Sequence, residues 1–313
     1  MFIINNKKTK TINNNKQRKN MNFKKIGLTA LAGSLVATSL IAGEMAVTGS
    51  ASMKVRHVDT DSAGKAFSMG NQLEFAGSGE LDNGLNVGLS FVIDQGDDAT
   101  TGLANSPFDS HSVSIGSDAL GTLVLHGEGG SSAQGAMDTT ASGDLWDNGY
   151  NVASVSSSVG GNNMIFYTLP TLADGIAVTA SYTPRGAGAV DSSTSFGLAY
   201  TGVEGLAVHY AQGEDNSDAT TTADATTMKI SYAYGPISVG YSDTEFDSQT
   251  AASDQDVKGY NVSYTLSENI SIAYGEEEIS TPQVAADLDV EVSAITGSYT
   301  TGGMTLGLMV GEV

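Results

Sequence analysis

The chain has 313 residues, of which 38 are glycine and none is cysteine, so a disulfide framework, a thiolate metal site and a cysteine nucleophile are excluded. Residues 1–42 contain eight Lys/Arg and no Asp/Glu, whereas the remainder contains six Lys/Arg and all 35 Asp/Glu. This charge excludes nucleic-acid binding, which needs clustered Lys and Arg; it attracts cations, or keeps the protein soluble in a salty medium.

The N-terminal region has the pattern of an export signal. Lys24 and Lys25 form a basic segment, residues 26–42 are small and apolar, and the first acidic residue is Glu44. The pattern predicts a secretory signal peptide over residues 21–42. It does not favour a retained membrane helix, because the run is short for a span of ~20 residues and is diluted by Gly, Ser and Thr.

The cleavage position follows less directly from the sequence. We predict cleavage after Ala42, with Gly43 and Ala46 as alternatives, since the residue at the minus-three position is not small. Residues 1–20 show no core pattern and precede a second methionine, Met21. We interpret them as a mis-assigned N-terminal extension.

Residues 81–94, LDNGLNVGLSFVID, combine a turn with a strand. Asp82-Asn83-Gly84 is typical of a turn, because Asp and Asn side chains form hydrogen bonds with their own backbone and Gly accepts positive φ. From Leu85 to Ile93 every second residue is apolar, so an extended chain has one apolar and one polar face. This period of two predicts a strand and not a helix.

Reworded copies of this phrase recur down the chain, starting at Leu172, Gly202, Tyr234, Leu266 and Thr300. Each copy is a short turn followed by a strand. Between one copy and the next lie a long polar loop and a returning strand. Counting on this pattern predicts fifteen strands, at 44–58, 67–79, 85–95, 110–117, 122–127, 163–169, 176–183, 194–201, 206–213, 225–234, 237–246, 256–265, 270–278, 288–300 and 304–312.

Most of these strands have roughly the 9 to 11 residues that a tilted strand needs to cross a bilayer. An exported chain of amphipathic strands must hide one face and leave no edge in lipid, which a closed transmembrane antiparallel β-barrel achieves. Tyrosines before the short turns predict an aromatic girdle: Tyr167, Tyr200, Tyr234, Tyr264 and Tyr299. Four others lie nearer mid-strand and could face a neighbouring subunit: Tyr182, Tyr210, Tyr241 and Tyr274.

This pattern resembles the general porins of Gram-negative outer membranes, most closely the alphaproteobacterial type with sixteen strands. In that family the third long loop folds into the barrel, and here the third loop, 128–162, is the longest. Bacterial single-chain barrels have even strand numbers, so the count of fifteen predicts a missing C-terminal strand, with an unrelated odd-stranded barrel as the alternative. The resemblance also implies a homotrimer in the outer membrane.

Strand parity predicts which side chains face the lumen. In the first strand the apolar residues point outward and Ser50, Ser52, Lys54 and Arg56 inward; by the same parity Lys229, His126 and His209 face inward. The resemblance implies a constriction with a basic wall opposite an acidic inserted loop. The matching residues are Lys54, Arg56 and Lys229 against Glu128, Asp138, Asp144 and Asp147, which could equally be solvated rim charges. Trp146 either anchors the inserted loop or is an exposed loop residue.

We therefore expect a porin that passes small hydrophilic solutes and ions by passive diffusion, with cation selectivity, because rings of Asp and Glu favour cations. No cofactor is expected, although carboxylates of the outer loops could hold Ca²⁺. The four scattered His residues do not suggest an enzyme. The rival interpretation is an exported all-β adhesin, soluble or surface-attached.

Overall fold

A computed structural model describes residues 2–4, 44–57, 65–94, 109–148, 154–184, 190–218, 221–250, 253–281 and 288–313. Within these residues sixteen antiparallel strands form one closed barrel. They are β1 (Phe2–Ile4), β2 (Glu44–His57), β3 (Lys65–Glu80), β4 (Asn86–Asp94), β5 (Ser110–Ser117), β6 (Gly121–Glu128), β7 (Met164–Thr168), β8 (Ile176–Thr183), β9 (Ser193–Tyr200), β10 (Leu206–Asp215), β11 (Ala223–Tyr234), β12 (Ile237–Ser248), β13 (Gln255–Ser267), β14 (Ile270–Thr281), β15 (Leu288–Thr301) and β16 (Met304–Glu312).

The predicted antiparallel barrel is confirmed, and the fifteen predicted strands correspond to β2–β16 with ends that agree within three residues. The short strand β1 was not predicted. It pairs with three residues of β16 on one side and three of β2 on the other, and so closes the sheet. The predicted signal peptide lies outside the described residues. Its removal after Ala42 would also remove β1, leaving the facing edges of β2 and β16 to pair with each other or with another strand.

The turn at the start of β4 shows how the short connections form. Gly84 has a φ of 81°, a left-handed conformation that glycine adopts without a Cβ clash. The Gly84 N–H donates to the Leu81 carbonyl at 2.8 Å, and the Leu85 N–H donates to Asn83 Oδ1 at 3.2 Å. The turn predicted at Asp82-Asn83-Gly84 is confirmed.

The two faces of the barrel wall differ in the way that a membrane-spanning barrel requires. Outward positions hold large apolar side chains that remain exposed, such as Phe196 at 62% and Val239 at 43%. Inward positions of β8–β12 hold small polar side chains that are buried, including Ser195, Thr227 and Ser242. A soluble protein would bury the large apolar side chains, whereas in a membrane-spanning barrel lipid covers them.

Helix is almost absent from the described part of the chain. Its one helical element is a short 3₁₀ segment, Leu145–Asn148, between β6 and β7. Within the described ranges no helix is long and apolar enough to cross a membrane.

Candidate functional site

The connection between β6 and β7 (the inner loop) is described over residues 129–148 and 154–163, and these residues lie against the inside of the barrel wall. The backbone N–H of Ala133 donates to Ser181 Oγ at 3.0 Å, and that of Gln134 donates to Ser195 Oγ at 2.7 Å. Each of the seven consecutive strands from β8 to β14 shares at least one hydrogen bond with this loop. The inner loop therefore lines one half of the barrel and narrows the lumen on that side.

Glu277 on β14 is the polar anchor of the inner loop. Its side chain is fully buried and accepts hydrogen bonds from the backbone N–H groups of Leu145 and Trp146, both at 2.8 Å. The hydroxyl groups of Ser142, at 2.7 Å, and Thr140 also donate to it. One carboxylate thus satisfies N–H groups at the start of the 3₁₀ segment, which have no partner within that segment.

Leu145 supplies the apolar anchor beside this carboxylate. Its side chain is 3% exposed and packs in a cluster with Val292 and Ala294 of β15. The backbone N–H of Trp146 takes part in the anchor, and its indole Nε1 is buried without a hydrogen-bond partner among the described residues. The inward side of β15 is apolar at these positions, which is why a leucine side chain packs there.

Gln134 ties the outgoing and returning arms of the inner loop together, and Gln255 ties the returning arm to the barrel wall. Gln134 is fully buried; its Nε2 donates to Thr227 Oγ1 at 2.9 Å, and its Oε1 accepts from the Ser158 N–H at 2.7 Å. Gln255 on β13 accepts from and donates to the backbone of residues 154–156 at 2.7 and 3.0 Å. A side-chain amide can do both because it carries a donor and an acceptor.

Sequence reasoning did not identify Glu277, Gln134 or Gln255 as functional residues. The sequence nevertheless contains a pattern that points to Glu277. In the run of three glutamates at 276–278, the period of two turns only the central one inward, and an inward carboxylate in a strand needs several donors. The glutamines carry no such signal, because their partners lie 24 to 101 positions away in the chain.

Lys229 on β11 faces inward, as parity predicts, but it lies beneath the inner loop and not across the lumen from it. It is 5% exposed, and its Nζ donates to the Thr139 carbonyl at 2.6 Å. The expectation that Lys229 belongs to a basic wall opposite the loop is therefore wrong. Parity defines the side of the sheet, and only the path of the loop decides which inward positions remain open.

The structure brings Asp138 and Asp144 together near Lys229. Burial raises the pKa of Asp138 to about 6, the Asp144 carboxylate raises it as well, and a hydrogen bond from Ser157 and the Lys229 ammonium lower it. Burial also raises the pKa of Asp144, which the Thr140 N–H opposes by donating to Asp144 Oδ1 at 2.8 Å. These two carboxylates form an acidic centre on the loop.

Glu128 does not join this centre. A register shift between His111 and Ser112 inserts an extra residue into β6, so that Glu128 lies opposite His111. Its Oε2 is 3.8 Å from His111 Nδ1, and the His111 ring stacks on Phe91 with centroids 6.3 Å apart. Phe91 is an outward residue of β4, so the bulge turns Glu128 away from the lumen, contrary to the prediction.

The wall formed by β2–β5 is the part of the barrel that lies across the lumen from the inner loop. Lys54 is half-buried there at an inward register position of β2, opposite Ser68 of β3. The Arg56 side chain lies outside the described residues. Glu74 on β3 also faces inward and accepts a hydrogen bond of 3.4 Å from Ser90 Oγ. On the loop side, the predicted Asp147 is exposed.

The tyrosines predicted to form a girdle occupy outward register positions next to the short turns. Tyr200, Tyr234, Tyr264 and Tyr299 are exposed there, and the Tyr167 hydroxyl donates to the Leu120 carbonyl at 2.5 Å. A second row lies toward the long-loop end of the barrel and consists of Tyr182, Tyr210, Tyr241, Tyr260 and Tyr274. No tyrosine occurs in β2–β6 or β16.

His126 and His209 lie at inward positions, as strand parity predicts, because their register partners, Met164 and Lys229, face inward. Across the described residues, no group of three or more His, Asp or Glu is placed to hold a metal ion. Calcium binding at the outer loops stays a prediction.

Comparisons with known proteins agree on one class. The sequence model of a family described as Gram-negative porin matches residues 27–313. A porin mutant from Rhodopseudomonas blastica superposes with a TM-score of 0.62 at 18% identity, covering 86% of this chain and 94% of that chain. OmpF of Salmonella typhi, in complex with daunomycin, superposes with a TM-score of 0.61 at 11% identity, covering 86% and 90%.

A loop-deletion mutant of OmpT, an outer membrane protein of Vibrio cholerae, superposes with a TM-score of 0.59 at 15% identity. It covers 87% of this chain and 95% of that chain. No curated protein is significantly similar to the chain. At these identities the solved structures establish a shared fold.

Proposed function

The chain belongs to the Gram-negative porin family and forms a channel of the outer membrane, and we propose that this channel passes small hydrophilic solutes by diffusion and prefers cations. The observation that carries the preference is the burial of Lys229. Its ammonium is covered by the inner loop, whereas Asp147 on the same loop is exposed. Within the described residues, the inner loop thus exposes a carboxylate while the lysine beneath it is covered, and rings of carboxylates favour cations.

Reversal potential measurements test this preference. The purified protein is inserted into a planar lipid bilayer between two KCl concentrations, and the zero-current potential is measured at neutral pH. A cation-selective channel gives a potential with the sign of the K⁺ equilibrium potential. A potential with the sign of the Cl⁻ equilibrium potential would overturn the proposal.

The rival adhesin interpretation has no support in the outward faces. A soluble sheet buries its large apolar side chains against a second layer, but here Leu308, Val262 and Phe196 are more than half exposed on successive parts of the wall. Lipid is the partner that suits such a surface. Extraction from the outer membrane only by detergent is the expected behaviour.

We further propose that the channel assembles as a homotrimer through the outward wall of β2–β6. Amphipathic aromatic rings are enriched where a barrel meets the lipid headgroups, and this wall makes up most of the run of neighbouring strands without tyrosine, which extends from β16 through β6. It also carries Asn71 and the stacked His111–Phe91 pair at outward positions. Polar groups of this kind are better accommodated against protein than in hydrocarbon.

A further inference from the structure

On the outward face of β12 and β14, charged side chains begin close to the short turns. Strand β12 starts at Ile237, and its first outward charged residue is Asp243, six residues later. Strand β14 starts at Ile270, and its first outward charged residue is Glu276, again six residues later. With a rise of about 3.3 Å per residue and a strand tilt of about 40°, the apolar outward surface on these strands is only about 15 Å high.

The opposite wall of the same barrel has a higher apolar surface. On β2 every outward position from Met45 to Val55 is apolar or glycine, which is a run of ten residues. The same rise and tilt give this run a height of about 25 Å, the usual height of the apolar band of a transmembrane barrel. The apolar surface of β12 and β14 is therefore about 10 Å lower than that of β2.

The two low carboxylates are hydrogen-bonded to tyrosines of their own strands. The Tyr241 hydroxyl donates to Asp243 Oδ2 at 2.7 Å, and the Tyr274 hydroxyl donates to Glu276 Oε2 at 2.6 Å. In each pair the ring lies on the apolar side and the hydroxyl points toward the long-loop end. Tyrosine takes this orientation where hydrocarbon meets water, so these pairs mark a polar boundary.

Strand β13, between β12 and β14, continues this boundary. Tyr260 lies opposite Tyr241 and Glu276, and the Tyr241 and Tyr260 ring centroids are 5.3 Å apart. Lys258 is the register partner of Asp243. Six outward residues on three adjacent strands thus form one patch, here called the polar notch: Tyr241, Asp243, Lys258, Tyr260, Tyr274 and Glu276.

Neither hydrocarbon nor a second copy of this chain is a suitable cover for the polar notch. Charged groups on the lipid face are costly within the hydrocarbon layer. A second copy would have to offer a basic surface, but residues 43–313 contain six Lys/Arg against 35 Asp/Glu. The notch is also continuous with further outward carboxylates nearer the long loops, namely Glu245, Asp256, Glu278 and Asp289. Water and lipid headgroups are the surroundings that suit it.

We propose that the polar notch lowers the lipid boundary on one side of the barrel, so that headgroups and water descend over β12–β14 to the level of Tyr260. The hydrocarbon layer is then up to about 10 Å thinner beside these strands than a full apolar band requires. Bilayers adapt to a low apolar surface by local thinning at a modest cost per Å. The partner of this surface is thus a locally thinned bilayer.

Two single-cysteine variants at similar heights test the proposal, since the chain has no native cysteine. Tyr260 lies in the notch, and Met228 is an outward residue of β11 six positions from the Tyr234 end of that strand. Their exposed fractions are similar, 37% and 46%. The folded variants are reconstituted in phosphatidylcholine vesicles and treated with a charged, membrane-impermeant thiol reagent.

Tyr260→Cys should react at least about tenfold faster than Met228→Cys, because the reactive thiolate forms in water and is disfavoured in hydrocarbon. A fluorophore attached at the same positions should show the reverse order with brominated phosphatidylcholine. The label at Met228→Cys should be quenched strongly, and the label at Tyr260→Cys weakly.

Replacing the low carboxylates should raise the lipid boundary again. In the Tyr260→Cys background, Asp243→Leu combined with Glu276→Leu should slow the thiol reaction at least about tenfold and increase the quenching. The matched control combines Glu245→Leu with Asp289→Leu, two outward carboxylates nearer the long loops, and should leave the rate unchanged.

Each alternative has its own result. Slow reaction and strong quenching at both Tyr260→Cys and Met228→Cys would show that hydrocarbon covers the notch and would overturn the proposal. Slow reaction with weak quenching at Tyr260→Cys would show that protein covers it, which overturns the proposal as well. The comparison of the two single-cysteine variants decides the matter if the leucine variants do not fold, and neither result bears on the ion preference measured by reversal potentials.

Discussion

Glu277 accepts a hydrogen bond of 2.8 Å from the backbone N–H of Leu145, a residue 132 positions earlier in the chain. The Leu145 side chain packs at the same time against Val292 of the next strand. Adjacent strands thus hold the tip of the inner loop by one polar and one apolar contact. The width and charge of the lumen depend on this attachment, because the loop carries the acidic centre.

Replacing Glu277 with Ala should detach the loop tip. Several donors would lose their acceptor, and each buried donor left unpaired costs about 1–3 kcal/mol. We expect larger current fluctuations in the open channel. We also expect the folded protein to unfold at a lower temperature, measured as the temperature at which its band disappears in gel electrophoresis. The neighbouring Glu278 faces outward and is exposed, so Glu278→Ala is the matched control and should behave as wild type. Glu277→Ala channels whose current noise equals that of the wild type would contradict the anchoring role.

Leu145→Ala removes the apolar half of the attachment. Truncation of a buried leucine costs about 2–5 kcal/mol, through lost transfer energy and the cavity that remains. We expect increased channel noise and a lower unfolding temperature, measured as for Glu277. Leu308→Ala, at an outward position that is 68% exposed, is the control and should leave the noise unchanged. Equal effects of the two variants would show that Leu145 does not hold the loop.

Reversing the charge of Lys54 should strengthen the cation preference. Lys54 faces inward on β2 across from the inner loop, so Lys54→Glu replaces a lumen cation with a carboxylate. The zero-current potential in a KCl gradient should move toward the K⁺ equilibrium potential. Lys258 lies at an outward position 3.3 Å from Asp256, and Lys258→Glu should shift the potential much less. A larger effect of Lys258→Glu would contradict the assigned lumen.

The proposed subunit interface predicts different lipid access for two outward positions. The chain has no native cysteine, so Leu73→Cys on β3 and Val239→Cys on β12 can each be labelled with a single fluorophore. Both positions have similar exposure in the monomer, 48% and 43%. In a trimer joined through β2–β6, brominated lipid should quench the label at Val239→Cys and spare that at Leu73→Cys. Equal quenching would exclude this wall as the interface.

Local sequence pattern was sufficient for the strands and for the side that each residue faces. Lys54 and Lys229 both face inward, as parity predicts, because successive side chains of a strand alternate. Glu128 shows the limit of this rule. One inserted residue at the end of β6 reverses the alternation, and Gly127 permits it, since a Cβ there would meet His111 Nε2 at 2.0 Å.

The sequence by itself determined the barrel, its fifteen long strands, the tyrosine row and the acidity, because periodicity and composition are local properties of the chain. Only the tertiary structure decided that Lys229 is covered, that Asp138 and Asp144 share its surroundings, and that Glu277 holds the loop. These contacts join residues about 90 to 137 positions apart. No local pattern encodes where a long loop comes to rest; that position follows from the sum of hydrogen bonds and apolar contacts along its whole path.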